Sequence, residues 1–233
     1  MKVEIWSDVA CPFCYIGKRR FEEGLSMFEH RDEVAVEYRS FRLDPFAPKE
    51  PEHDLFDVLA RKYGISREQA VEMNRRVAEQ GREAGIEFRF SDVVPSNTLD
   101  AHRLIKFAGR HGKEREMIEL LFEAYFTEGR NVADHATLLS VAEKAGLDRE
   151  AAKEMLRSDA HADEVEADGR EASRLGARGV PFFVINRKYG ISGAQPVQMF
   201  LDTLRRAWQD EHPLVSSGGP GDGCGGSSCA ATP

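Results

Sequence analysis

The chain has 233 residues and a formal net charge of −8, from 32 Lys and Arg against 40 Asp and Glu. Its ordinary composition excludes a collagen, a coiled-coil rod and a wholly disordered chain, and four cysteines are too few for a disulfide scaffold. The acidic balance argues against nucleic-acid binding, and the apolar runs are too short to cross a membrane.

The elements read as follows, in chain order. Residues 2–6 alternate as a short strand. A turn over Ser7–Ala10 leads to Cys11-Pro12-Phe13-Cys14, and a helix is expected over Tyr15–Phe28, with Pro12 in its first turn. Val34–Phe41 is rich in strand formers. The first 42 residues therefore predict β-α-β with a parallel pair. Pro45, Pro48 and Pro51 then break the chain. From about Leu55 to about Ala177 the pattern is helical. Leu55–Tyr63 stops at Gly64, Ser66–Gln69 forms a capping box, and Asn97–Arg110, Glu114–Phe126 and Ala162–Leu175 are amphipathic. Asp134 and Asp148 cap two more helices, and Ile86–Phe90 alternates as an extended segment. Val180–Ile185 and Tyr189–Ser192 predict a hairpin, and Pro196–Trp208 a last helix. Ser216–Cys229 is mostly Gly and Ser, which predicts a linker. The order is β-α-β, a helical block, then β-β-α. A block this long and this well patterned is an inserted subdomain rather than a loop.

The four cysteines fall into two pairs, Cys11 with Cys14 and Cys224 with Cys229. The chain opens without a basic segment, apolar stretch and small-residue cleavage site, so the expected location is cytoplasmic, where thiols stay reduced. In that setting Cys11-x-x-Cys14 between a strand and a helix start points to thiol–disulfide exchange. The unpaired N–H groups and partial positive charge at a helix start favour thiolate, which is the nucleophile. One sulfur attacks and the other resolves the mixed disulfide. A zinc site completed by Cys224 and Cys229 is the alternative, but a Gly/Ser tail is a poor preformed ligand arm, and no histidine has ligand spacing to a cysteine. No metal is expected. Pro181 at the entrance of an apolar strand lacks a ladder donor, and from sequence alone its peptide defaults to trans. Asp8 either assists proton transfer near Cys14 or bonds local backbone. Asn97 either caps its helix or, with His102, lines a substrate groove.

The run Trp6–Lys18 around Cys11-Pro12-Phe13-Cys14, the segment Ser96–Leu104, and Val180-Pro181-Phe182 after a helical block together resemble the DsbA-like branch of the thioredoxin superfamily, and within it the FrnE type. The likeness spans about residues 2–210. It implies an α/β thioredoxin fold with a large all-helical insertion: residues 1–44 and 176–212 form the thioredoxin-like domain, 45–175 the insert and 213–233 the tail. It implies a protein disulfide oxidoreductase or isomerase, with Cys11 as nucleophile, Cys14 as resolving thiol and Pro181 cis against the pair. Pro12, Phe13, Val180, Asn97 and His102 become candidate substrate contacts. Phe13 stands where DsbA has a histidine, which removes one source of thiolate stabilisation. Relatives with a C-terminal cysteine pair make Cys224 and Cys229 a candidate second redox pair, on an arm that reaches roughly 18 Å in root-mean-square terms. No organic cofactor is implied, although glutathione is a possible co-substrate. The expected partners are protein or peptide thiols and disulfides, low-molecular-weight thiols or a thioredoxin-type reductant, without nucleic acid or membrane, in a monomer or homodimer. The same wider group contains glutathione-dependent isomerases and kappa-class glutathione transferases, which are the alternatives, together with a redox-linked peptide-binding chaperone.

Overall fold

The computed structural model describes residues 1–213. Its sheet is mixed, with β1 (Lys2–Ser7), β2 (Ala35–Ser40), β3 (Phe182–Ile185) and β4 (Tyr189–Ser192) in the order β2-β1-β3-β4. β1 pairs with β2 in parallel and with β3 antiparallel, and β3 pairs antiparallel with β4. The helix α1 (Pro12–Ser26) joins β1 to β2, and the chain closes on α9 (Val197–Glu211). Between β2 and β3 lie α2 (Leu55–Tyr63), α3 (Arg67–Glu83), α4 (Leu99–Arg110), α5 (Glu114–Phe126), α6 (His135–Lys144), α7 (Arg149–Arg157) and α8 (Ala162–Arg174). No described helix is long and apolar enough to cross a membrane.

The two faces of the sheet carry different cargo, because side chains alternate along a strand. Val3 and Ile5 of β1, with Phe183 and Ile185 of β3, join the main core. There Phe183 meets Phe21 of α1 at 5.5 Å and Phe200 of α9 at 4.7 Å between ring centroids. Burying each ring contributes about 1.5–3 kcal/mol. The other face turns Trp6, Phe182 and Val184 against Ala172 of α8, in a separate cluster. Glu4 also sits on that face, 1% exposed, and Arg39 and Arg187 neutralise it. The segment 45–175 is therefore more than an appendage: its last helix covers one face of the sheet. Asp168 of α8 makes the join. Its carboxylate accepts from the Ser40 N–H at 2.8 Å and pairs with Lys106 and Arg39, while its backbone oxygen accepts from Trp6 Nε1 at 2.8 Å.

A second join holds α1 to α5. Glu119 accepts from the Tyr15 hydroxyl at 2.6 Å and pairs with Lys18 and Arg19. Burial alone would raise the Glu119 carboxyl, but Lys18, Tyr15 and Arg19 outweigh it and hold the group below its ordinary 4.5. Asp100 and Glu4 are held down in the same way by their own cations. A carboxyl depressed in the fold adds stability above its unfolded value, and that stability is lost as pH falls through the folded value. The urea midpoint should therefore be level near neutrality and fall once pH drops below the ordinary 4.5. Glu119→Gln should make that fall shallower, and an unchanged acid limb would remove Glu119 from the account.

Most sequence expectations hold to within a few residues. Ser66 and Gln69 form both bonds of the capping box, and Asp134 and Asp148 cap α6 and α7. The helix expected from Tyr15 begins at Pro12, one residue beyond Cys11. Ile86–Phe90, expected as an extended segment, pairs with no strand. Its alternation serves packing within the insert: Phe88 lies over Gly81, where an added Cβ would stand 2.4 Å from the ring, and Phe88 and Phe90 pack on Phe126. A segment with no neighbouring strand has no ladder to join, whatever its pattern.

Candidate active site

β1 ends at Ser7, and the three residues that follow, Asp8–Ala10, turn the chain to deliver Cys11 as the N-cap of α1. Cys11 has extended backbone angles, φ −100° and ψ 110°, and Pro12 follows as the first helical residue. The Cys11 carbonyl starts the helix by accepting from the Cys14 N–H at 3.0 Å. Its thiol does not cap the helix but lies 3.5 Å from the carbonyl oxygen of Val180. Cys14 stands one turn further in and is 2% exposed, and both cysteines are free thiols. Burial pushes the Cys14 thiol well up, and its hydrogen bond to Cys11 and the charge there add to the rise. The pair is thus asymmetric. One sulfur stands at the positive end of a helix, beside half-exposed Pro12 and exposed Phe13, and the other is held protonated beneath it.

The opposite wall is Val180-Pro181, whose peptide bond is cis. Pro181 is buried, and its carbonyl accepts from the Gly193 N–H at 2.8 Å. Gly17 of α1 allows it to come this close, since a Cβ on Gly17 would stand 2.9 Å from Pro181 Cγ. A glycine inside a helix costs about 1 kcal/mol against alanine. That cost is a sequence signal of close approach which the reading of Trp6–Lys18 passed over.

The structure corrects one candidate substrate contact and settles Asn97 on its capping alternative. His102 lines no surface groove: it is 2% exposed, and its Nε2 lies 3.2 Å from Asp8 Oδ1. Asn97 is tied to the scaffold. Its amide nitrogen donates to the Ala47 carbonyl at 2.8 Å, and its Oδ1 accepts from the Leu99 N–H at 2.9 Å. It thus caps α4 from one residue ahead of Thr98 and pins the proline loop to the helix start. Asp8 meets the local-backbone reading only in part: its carboxylate accepts from the Ala10 N–H at 3.4 Å, but more closely, at 2.7 Å, from the Leu43 N–H 35 positions away. Burial would raise the Asp8 carboxyl, but the His102 and Leu43 contacts bring it below its ordinary value.

The same stretch of α4 hides a hub that sequence reasoning missed. Asp100 pairs with Lys49, Arg103 and His135, and Arg103 reaches the carbonyls of Met155 and Ala160 at 2.7 and 2.8 Å. Ser96–Leu104 therefore binds the loop after β2 and the end of α7 together behind the dithiol. Leu43 and Phe46, held on that loop, are exposed, as is Phe13. Cys224 and Cys229 lie outside the described residues.

With this geometry in hand, comparison with known proteins is decisive for the family. The DSBA-like thioredoxin domain family matches residues 2–205. The chain belongs to that family. It is 43% identical to a probable DsbA oxidoreductase from Streptomyces coelicolor, with a TM-score of 0.87 over 98% of this chain and 100% of that one. A 2-hydroxychromene-2-carboxylate isomerase shares the fold at 18% identity and TM-score 0.69, over 93% of this chain and 100% of that one. So does the cytosolic disulfide reductase DsbM of Pseudomonas aeruginosa, at 19% identity and TM-score 0.61, over 88% of this chain and 99% of that one. DsbM has also been solved with GSH. The α/β DsbA-like thioredoxin fold anticipated from the two motifs and the strand order is the fold of this chain.

Proposed function

We propose that this chain is a thiol–disulfide oxidoreductase acting on polypeptide disulfides through Cys11 and Cys14. The observation that carries the reading is the asymmetric pair itself: Cys11 at the start of α1 facing the Val180 carbonyl, and Cys14 buried behind it. Cys11 as thiolate attacks one sulfur of a substrate disulfide, forming a mixed disulfide and releasing the other substrate sulfur as a thiolate. Cys14 loses its proton and attacks the Cys11 sulfur. The second substrate thiolate leaves, and a Cys11–Cys14 disulfide remains. The substrate gains two electrons, the protein loses two, and both substrate thiolates take protons from water. The two sulfurs carry the whole exchange, so the cycle calls for no organic cofactor.

Exposed Phe13, inside the motif, and exposed Leu43, whose N–H bonds Asp8, favour a polypeptide as substrate, because they offer apolar surface to it. Pro12 and the Val180 backbone flank the attacked sulfur. In a reducing compartment a low-molecular-weight thiol such as glutathione, or a thioredoxin-type protein, would return the disulfide to the dithiol. The tail pair Cys224–Cys229 is the intramolecular candidate for the same task.

Cys14→Ser tests the reading, because it removes the resolving thiol and leaves the nucleophile. After exposure to a peptide disulfide and quenched alkylation, mass mapping should find a lasting mixed disulfide on Cys11. A linkage from Cys11 to Cys224 or Cys229 in the same sample would establish exchange with the tail. If Cys11 carries no adduct of either kind, the mechanism is wrong.

A further inference from the structure

Four groups of a single residue, Asp8, converge on the dithiol and its support. The Asp8 carbonyl accepts from the Cys11 N–H at 3.1 Å, and the Asp8 N–H donates to Cys14 Sγ at 3.5 Å. Its carboxylate Oδ2 accepts from the Leu43 N–H, and its Oδ1 accepts from the Ala10 N–H and meets His102 Nε2. The carboxylate is sealed, with Asp8 1% and His102 2% exposed. Among the described residues, His102 is the sole ion-pair partner of Asp8. His102 belongs to α4, in the helical block, and makes no contact with either cysteine among the described hydrogen bonds.

We propose that the His102–Asp8 contact sets the thiol–disulfide equilibrium of Cys11–Cys14, with His102 as a positioning residue that favours the reduced form through Asp8. Two physical effects act in the same direction. The contact fixes the Asp8 backbone whose N–H serves the Cys14 sulfur, and a sulfur sharing the thiolate charge of the reduced pair accepts that bond better than a disulfide sulfur does. The contact also offsets a buried negative charge beside the dithiol. Left unbalanced, that charge would repel a thiolate and leave the neutral disulfide untouched. The helical block thus acts on the redox centre through one side chain.

The equilibrium to measure is protein disulfide plus two glutathione against protein dithiol plus glutathione disulfide, read in the full chain. Quenched alkylation with mass mapping of the peptide bearing Cys11 and Cys14 keeps the tail thiols out of the reading. His102→Leu should shift the equilibrium toward the disulfide by about tenfold, which is about 30 mV for a two-electron couple. His102→Gln keeps a donor near the Nε2 position and should stay within about threefold of the unaltered protein. Asp8→Asn removes the charge and should move the equilibrium the other way, toward the dithiol. Opposite signs for the two partners, with rescue by Gln, are not expected of a purely structural contact. The proposal is overturned if His102→Leu leaves the equilibrium unchanged, if His102→Gln shifts it as far as Leu does, or if Asp8→Asn shifts it in the same direction as His102→Leu. Should His102→Leu fail to fold, the sign for Asp8→Asn and the position of His102→Gln decide alone. The inference rests on the redox reading of Cys11–Cys14, and the two can fail separately. An unaltered protein that never forms the Cys11–Cys14 disulfide in oxidised glutathione refutes that reading, whereas normal titration with unshifted variants refutes only the role of His102.

Discussion

Cys11→Ser should bring dithiothreitol-dependent insulin reduction to background, a loss of roughly a thousandfold or more. A serine hydroxyl at this site is a poor nucleophile and cannot form the mixed disulfide through which every later step passes. The fold should be untouched, since the Cys11 side chain caps nothing and its contacts, to the Val180 oxygen at 3.5 Å and to Cys14, are ones a hydroxyl can also make. The insulin turbidity assay, read beside circular dichroism of the variant, separates lost chemistry from lost structure. Activity that survives in folded Cys11→Ser protein would end the assignment of Cys11 as nucleophile. Cys14→Ser should differ in kind, because it stalls after the first step instead of preventing it.

The largest effect on stability is expected from Asp168→Ala. The Asp168 side chain is 8% exposed, and its carboxylate satisfies Lys106, Arg39 and the Ser40 N–H together. Its removal leaves a nearly buried ammonium, with 10% of its side chain exposed, to rely on the Tyr38 carbonyl at 3.3 Å. Stranding one partner of a buried ion pair costs about 3–5 kcal/mol. The Trp6 indole still donates to the backbone oxygen at position 168, so its fluorescence is a fair reporter of whether α8 stays on the sheet. Urea unfolding should show the midpoint fall. A loss below about 1 kcal/mol, as for a surface pair, would mean that α8 is held by Trp6, Ala172 and Phe182 alone.

Legibility followed how local each feature is. Caps, turns and the Cys11-x-x-Cys14 helix start are set within a few residues, and the sequence reading placed them closely. The groove reading of His102 failed for the opposite reason, while Asn97 took the helix-capping alternative. Their polar side chains on a motif suggested a groove, yet their partners are the Asp8 carboxylate, 94 positions away, and the Ala47 carbonyl, 50 positions away. Nothing local distinguishes a histidine facing solvent from one that hydrogen-bonds a buried carboxylate. The Asp100–Arg103 hub escaped notice because its partners are spread over the loop after β2, α6 and the end of α7.

The sequence by itself determined the order β-α-β, helices, β-β-α, the cysteine pair at a helix start, and with these the DsbA-like family of the chain. Each of these rests on periodicity, capping or a short motif, which are properties of neighbouring residues. The tertiary structure alone decided which face of the sheet each strand residue buries, that α8 closes one of those faces, and that Gly17 makes room for Pro181. It also decided that Asp8 stands between His102 and both cysteines. These are distances between residues far apart in the chain, and only packing brings them together.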